Sequence, residues 1–151
     1  MRIVEDDLTG VEIAALLTQH LAAMARDSPP QCVHALDSSA LRAPDITFWT
    51  AWNDTNLMGC GALKELDPDH GEIKSMRTAD AFLGQGVGSA MLAHLIDVAV
   101  RRSYRRLSLE TGSGPAFTPA LALYEKFGFE YCGPFANYPD DPFTRFMTME
   151  L

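Results

Sequence analysis

The feature that most constrains this chain is a glycine-rich loop between a strand-like segment and a helix-like one. Gly84, Gly86 and Gly88 alternate after the segment 72–78 and before a run of good helix formers. Glycine has no Cβ, so the backbone of such a loop can approach a ligand closely. A helix that begins directly behind it offers unpaired N–H groups and the positive end of its dipole. The sequence therefore predicts a site for phosphate groups at this loop.

Length and composition limit the kinds of protein that the chain can be. Its 151 residues and 47% hydrophobic content suit one globular domain spanning residues 1–151. No apolar run approaches the roughly 20 residues of a membrane span, and the first residues lack the order of a signal peptide, so we expect a cytoplasmic protein with no membrane partner. A net charge of −8 argues against a nucleic-acid partner and mildly favours a cationic substrate such as an amine, although solubility alone also explains it.

Hydrophobic periodicity and turn residues predict a mixed α/β (α+β) chain with a β-α-β unit in its middle. We expect a capping box at Thr9 and Glu12, a C′ glycine at Gly128, and a short helix capped near Asp37. The predicted strands cover residues 2–4, 46–52, 57–66, 72–78, 105–111, 129–133 and 146–151. The three longer helices are predicted to begin at residues 11, 89 and 118.

Residue patterns alone leave several ligands open for the glycine loop. A nucleotide triphosphate is disfavoured because no lysine follows Gly88, as a P-loop requires. A dinucleotide remains an alternative, since Glu110 ends the next strand about where a ribose-binding acid would stand. Two features argue against a dinucleotide site. The segment between the strand and the first glycine is longer than a tight strand-to-helix turn allows, and Lys74 and Arg77 interrupt a strand that would be continuously apolar in a parallel sheet.

Two segments together resemble the GNAT N-acetyltransferase superfamily. Residues 72–78 followed by Leu83-Gly84-Gln85-Gly86-Val87-Gly88 resemble its acetyl-CoA motif, Arg/Gln-x-x-Gly-x-Gly/Ala, and residues 120–129 are similar to its second signature, A-x-x-LYEKxGF. Both stand in the family's order, and the elements match its fold over essentially the whole chain. Other segments look like a subgroup of small bacterial members. The chain departs from the family pattern at two positions: it has Leu83 where the family usually has Arg or Gln, and Phe117 where the family often has Asn.

The resemblance implies a fold, a reaction and a cosubstrate. The fold is the acyl-CoA N-acyltransferase fold, a mostly antiparallel twisted sheet with about four helices. The reaction is direct transfer of acetyl from acetyl-CoA to a primary amine of a small molecule or peptide. Alternatives are a non-catalytic acyl-CoA sensor on the same fold and a dinucleotide-binding domain. A homodimer, common in the family, is one of the oligomeric states left open.

The resemblance also implies roles for individual residues. Tyr124 matches the donor that protonates the departing thiolate. Glu72 stands where some members carry a catalytic base, although pairing with Lys74 explains it equally well, and Glu110 is a second candidate base. The expected acetyl-CoA contacts are Met76, Arg77 and Thr78 on the strand and Leu83, Gly84, Gln85, Gly86, Val87, Gly88 and Ser89 in the loop.

The acceptor site is less constrained by the sequence. His34 and Asp37 fall in the region that usually shapes the acceptor pocket, and Trp49 and Tyr138 are aromatic candidates for its lining. Loop or core packing is the simpler explanation for each of them. The remaining histidines and the scattered cysteines show no metal-ligand spacing, so we expect no metal.

Overall fold

A seven-stranded sheet forms the centre of the molecule in a computed structural model that describes all 151 residues. The strand order is β1-β2-β3-β4-β5-β7-β6, and only β4 and β5 pair in parallel. The strands are β1 (Arg2–Glu5), β2 (Ile46–Asn53), β3 (Asn56–Asp67), β4 (His70–Thr78), β5 (Arg106–Thr111), β6 (Glu130–Cys132) and β7 (Arg145–Glu150). The expected mixed, mostly antiparallel sheet is thus confirmed.

The α-helices number three rather than about four. They are α1 (Val11–Asp27), α2 (Val87–Arg101) and α3 (Thr118–Lys126). The segment after α1, where a short second helix was expected, contains only two three-residue 3₁₀ turns, Pro30–Cys32 and Ala40–Arg42. Prolines and short cap-forming residues favour such turns over longer helices. None of the helices has the length and apolar character that crossing a bilayer requires.

Helix ends agree only partly with the sequence signals. The predicted capping box at the start of α1 is wrong: Gly10 is the N-cap, and the Thr9 hydroxyl instead donates to Asp7 Oδ1 at 2.6 Å. Asp and Thr side chains often bond locally in this way, which removes the hydroxyl from the helix N–H groups. At the other end of the chain, Gly128 takes a left-handed φ of 100° after α3, as a C′ glycine does.

Alternation along the strands gives the sheet two apolar faces. Phe48 packs with Ile13 and Leu17 of α1, whereas its neighbour Trp49 packs on the opposite face with Leu95 of α2. Because successive strand residues point to opposite faces, one strand supplies both cores. α2 and α3 cover one face, and α1 covers the other.

Candidate active site

A cleft of about 190 Å³ opens where β4 and β5 separate. The two strands pair only as far as Ile73, opposite Leu109. Beyond that point β5 stays paired with β7, while β4 continues to Thr78 paired only with β3. Residues of both strands line the cleft, together with α1, the segment after it, and α3. The splayed strands therefore create a slot that side chains from both faces of the sheet can reach.

A β-bulge shapes the β4 wall of the cleft. Ser75 and Met76 together oppose the single residue Gly61 of β3, and Ser75 adopts a left-handed φ of 54°. A side chain at position 61 would approach Met76 within 3.0 Å, so glycine fits the close packing there. The extra residue resets the alternation of the strand. Met76 packs into the core below α2, and Arg77 lines the cleft beside α1.

The glycine loop presents a row of unpaired backbone donors. Gly84 and Gly86 take left-handed φ values of 73° and 82°, and Gly86 is the N-cap of α2. None of the N–H groups from Gly84 to Ser89 donates a hydrogen bond within the protein. The first turn of a helix has no preceding carbonyls to satisfy its donors, so this end of α2 is suited to bind an anion.

The other predicted cofactor contacts lie around this loop. Leu83 has an apolar side chain that is 62% exposed, and its N–H donates to the Asp80 carbonyl at 3.4 Å, so this residue offers neither a polar side chain nor a free donor. Gly88 lies against α3, because a Cβ added at this position would come within 3.3 Å of the Leu123 side chain. The same Cβ would lie 3.8 Å from the Thr78 hydroxyl oxygen. The end of β4, the loop and the first turn of α2 thus form one continuous surface that leads into the cleft.

Glu72 belongs to a tightly bonded cluster at the base of the cleft. Its Oε2 atom accepts hydrogen bonds from Lys74 Nζ at 3.2 Å and from the Tyr138 hydroxyl at 2.5 Å. Lys74 also donates to the Tyr138 hydroxyl at 2.7 Å. Burial and the adjacent Glu72 carboxylate raise the pKa of Tyr138 well above its usual range. Only 2% of Glu72 is exposed, so both partners hold this carboxylate in place.

Glu110 stands at the end of β5 in different surroundings. Its carboxyl group lines the cleft and accepts no hydrogen bond from the protein. Burial raises its pKa from 4.5 to about 7, with Lys74 acting against the shift and Glu72 and Asp141 adding to it. A carboxyl group with this pKa exchanges its proton near neutral pH, as a general base must.

Tyr124 reaches the cleft from α3. It is 6% exposed, packs edge to face on Phe129 with 5.9 Å between ring centroids, and makes no hydrogen bond through its hydroxyl. Burial, and to a lesser extent the nearby Glu110 charge, raise the pKa of Tyr124 above its usual range. The phenol therefore remains protonated at neutral pH and is available as a proton donor.

The structure brings only part of the expected acceptor set to the cleft. His34 lines it and packs edge to face on Tyr138, which itself contacts the cleft through Lys74 and Glu72. Asp37 lies outside and caps the turn at Ala40 through a 2.8 Å hydrogen bond. Trp49 is buried between His94 and Arg102 in the core below α2. Local capping and apolar burial thus correct the expectation that Asp37 and Trp49 line the acceptor site.

Two cleft residues escaped the sequence reasoning because they belong to α1. His20 and Asp27 lie in a helix whose periodicity indicates packing alone, yet both line the cleft. His20 is 6% exposed and its Nδ1 atom has no hydrogen-bond partner. Burial, and then the positive charge of Arg77, lower the pKa of His20 to about 4. A polar residue on the apolar face of α1 is the one signal that the sequence offered.

Comparison with known proteins identifies the family to which this arrangement belongs. The model of the acetyltransferase (GNAT) family matches residues 9–129. The chain belongs to the GNAT acetyltransferase family. The uncharacterized N-acetyltransferase YsnE of Bacillus subtilis is 55% identical over the full length of both chains. The uncharacterized N-acetyltransferase YedL of Escherichia coli is 49% identical over 97% of this chain and 92% of its own.

A solved GNAT structure shares the fold. The acetyltransferase of Elizabethkingia anophelis, determined with acetyl-CoA bound, superposes with a TM-score of 0.73 at 23% identity over 99% of this chain and 97% of its own. The GNAT protein described here is accordingly an acetyltransferase that uses acetyl-CoA as cosubstrate and an amine as acceptor. A dinucleotide-binding domain is excluded, because that fold requires a mostly parallel sheet and this one has a single parallel pair.

No group of three or more His, Cys, Asp or Glu side chains is arranged to hold a metal ion.

Proposed function

We propose that this protein, acting as one domain, transfers acetyl from acetyl-CoA directly to a primary amine of a small molecule or peptide, with Glu110 as general base and Tyr124 as general acid. The glycine loop would bind the pyrophosphate, and the unpaired edge of β4 at Met76 to Thr78 would align the pantetheine arm. The observation that carries the proposal is the position of Glu110 and Tyr124 in one cleft that begins at the row of free N–H groups.

Glu110 supplies the base because a lysine-like amine, with a pKa near ~10.4, reaches the enzyme protonated. The carboxylate accepts one ammonium proton, and the neutral nitrogen then attacks the thioester carbon. A C–N bond forms and the carbonyl becomes a tetrahedral oxyanion. The pKa of about 7 suits this role, since about half of the group is ionised at pH 7 and the carboxylate is still basic enough to accept a proton.

Tyr124 completes the transfer when the intermediate collapses. The C–S bond breaks, the sulfur atom takes the phenolic proton, and CoA leaves as a neutral thiol. The nitrogen loses its second proton, and the net transfer of that proton to the phenolate restores the tyrosine. The raised pKa of Tyr124 supports a donor role, because the phenol is fully protonated before each turnover.

Glu72 is better suited to position its neighbours than to act as the base. Its Oε2 atom is already bonded to Lys74 and Tyr138, and the residue is 2% exposed. Removing a proton with this group would disrupt two charge-assisted hydrogen bonds. Its negative charge helps to raise the pKa of Glu110, so it tunes the proposed base at a distance.

The pH profile of CoA release with an amine panel tests the proposal. Because the amine binds as the ammonium ion, kcat/KM for total amine should rise with pH as Glu110 ionises, with its midpoint near pH 7 and a plateau about one pH unit higher. Glu110→Gln should lower kcat/KM by about 10²-fold or more and abolish this rise. The same replacement at exposed Glu130 should leave the profile unchanged and serves as the matched control.

Two results would contradict different parts of the proposal. A Glu110→Gln profile that still rises with a midpoint near pH 7 would remove Glu110 from the base role. Tight acetyl-CoA binding without CoA release for any amine would instead favour a protein that only senses acyl-CoA.

Compartment and assembly are smaller parts of the proposal. Cys32, Cys60 and Cys132 are all free, which fits the reducing cytoplasm where we propose that the enzyme acts. A homodimer stays a prediction that analytical ultracentrifugation would test.

A further inference from the structure

The guanidinium of Arg77 is a cation in the cleft that the proposed mechanism does not use, since only the backbone of this residue belongs to the β4 edge proposed to align pantetheine. The side chain is half-buried, lines the cleft beside α1, and makes neither a hydrogen bond nor an ion pair within the protein. Of the other charged groups that line the cleft, only Glu110 also lacks a protein partner. Lys74 is bound to Glu72 at 3.2 Å, and Asp27 is bound through both oxygens to Arg26 at 3.0 and 3.1 Å.

Leaving this guanidinium unpaired is unexpected in a chain with a net charge of −8. Partial burial removes water from a group with five N–H donors, and that cost is recovered only when an anion binds. The planar fork of an arginine matches the two oxygens of a carboxylate, whereas an ammonium group offers only a point charge. The bulge at Ser75 directs this side chain toward α1 and away from the glycine loop, where backbone N–H groups already provide for phosphate.

His20 is a second, independent sign of a ligand at this place. The ring is 6% exposed, lines the same cleft, and its Nδ1 atom has no partner. Buried polar atoms without partners are uncommon in folded proteins and usually indicate a bound molecule or water. With a pKa lowered to about 4, the imidazole is neutral at pH 7 and can donate one hydrogen bond without repelling Arg77.

The cleft therefore has two differently charged parts. Glu110 lies on β5, where we place the attacking amine, whereas Arg77 lies beside His20 of α1, and the acidic Asp27 of that helix is bonded to Arg26. We infer that the acceptor of this enzyme is an amine that also carries a carboxylate, an amino acid or a related compound, and that Arg77 binds the carboxylate. The inference rests on the proposed transfer to an amine and specifies which amines are accepted.

Titration of the CoA-saturated protein with matched pairs of ligands tests this inference. Glycine is paired with methylamine, phenylalanine with phenethylamine, and aspartate with β-alanine, so that each pair differs by one carboxylate. At least one amino acid should bind about 10-fold or more tightly than its partner, a difference of about 1.4 kcal/mol. Arg77→Gln should abolish the preference, and Arg77→Lys should restore part of it because the charge returns without the fork.

Arg105→Gln, a change at an exposed arginine, is the matched control and should keep the preference. The inference is overturned if no amino acid binds at millimolar concentration, if the decarboxylated amines bind equally well, or if Arg77→Gln weakens CoA binding rather than amino-acid binding. CoA release with amines that lack a carboxylate would leave the transfer function intact while refuting the carboxylate requirement. Carboxylate-dependent binding without CoA release would support the site and refute the transfer.

Discussion

At the scale of single residues, Glu72 and Glu110 show how surroundings divide two carboxylates into different roles. Glu72 is held by Lys74 and Tyr138, so its charge is compensated where it stands. Glu110 faces the cleft with no hydrogen-bond donor, and burial raises its pKa to about 7. The two side chains have the same chemistry, but Glu72 is occupied by two hydrogen bonds, whereas burial without a hydrogen-bond donor lets Glu110 exchange a proton near neutral pH.

The hydroxyl of Tyr124 gives a residue-scale prediction. Tyr124→Phe removes only the proton donor, because the ring keeps its packing against Phe129. We expect kcat to fall by about 10²-fold, as is typical when a general acid is lost, with acetyl-CoA affinity nearly unchanged. Stopped-flow kinetics and calorimetry would measure the two quantities. Tyr131→Phe, at a 53% exposed position, is the control, and an unchanged kcat in Tyr124→Phe would mean that the thiolate leaves without this donor.

At the scale of elements, the glycine loop offers hydrogen-bond donors through its backbone geometry rather than through its side chains. The family's usual Arg or Gln is replaced by Leu83, whose side chain is largely exposed. The left-handed turn at Gly86 nevertheless directs the N–H groups at the start of α2 away from internal partners. A loop of this kind tolerates the loss of one polar side chain because the main chain supplies its donors.

Gly86→Ala tests the importance of that backbone conformation. An added Cβ meets no atom within 4 Å, so any effect arises from the φ of 82° and not from a clash. A left-handed alanine costs about 1 kcal/mol, and relaxation of the turn should raise the KM for acetyl-CoA several-fold. Gly133→Ala adds the same methyl group where space is also free and φ is not left-handed. This control should change neither the conformational free energy of its turn nor the KM for acetyl-CoA. Equal effects of the two changes would contradict the backbone argument.

The limits of sequence reasoning are also visible in the elements. The strands could be predicted from the alternation of apolar and polar residues, and the end of α3 from Gly128, because local sequence patterns determine both. The bulge at Ser75 could not be anticipated, since serine has no preference for a left-handed φ and the need for an extra residue arises from packing against β3. The side of the strand on which Arg77 emerges depends on that bulge. The acceptor end of the cleft was therefore beyond prediction, whereas the glycine loop before α2, with its unpaired N–H groups, follows from the sequence.

At the scale of the whole molecule, the cleft makes stability depend on pH. His20 has a native pKa of about 4, below its ordinary 6.5, so its contribution to stability is present above pH 6.5 and is lost as the pH falls through 4. Glu110 acts in the opposite direction. Its native pKa of about 7 exceeds the ordinary 4.5, so its contribution is present below pH 4.5 and is lost as the pH rises through 7.

Glu110→Gln should therefore stabilise the protein at pH 8 while it impairs catalysis. The amide has no charge to desolvate, and the gain in free energy of unfolding should be on the order of 2 kcal/mol at pH 8, decreasing toward zero near pH 4.5. Urea unfolding between pH 4.5 and 8 measures the difference between variant and native protein, with Glu130→Gln as the control. Parallel curves for the native protein and Glu110→Gln would mean that Glu110 is already ionised well below pH 7. The same unfavourable burial that prepares Glu110 to accept a proton would then be absent, and the proposed base would lose its physical basis.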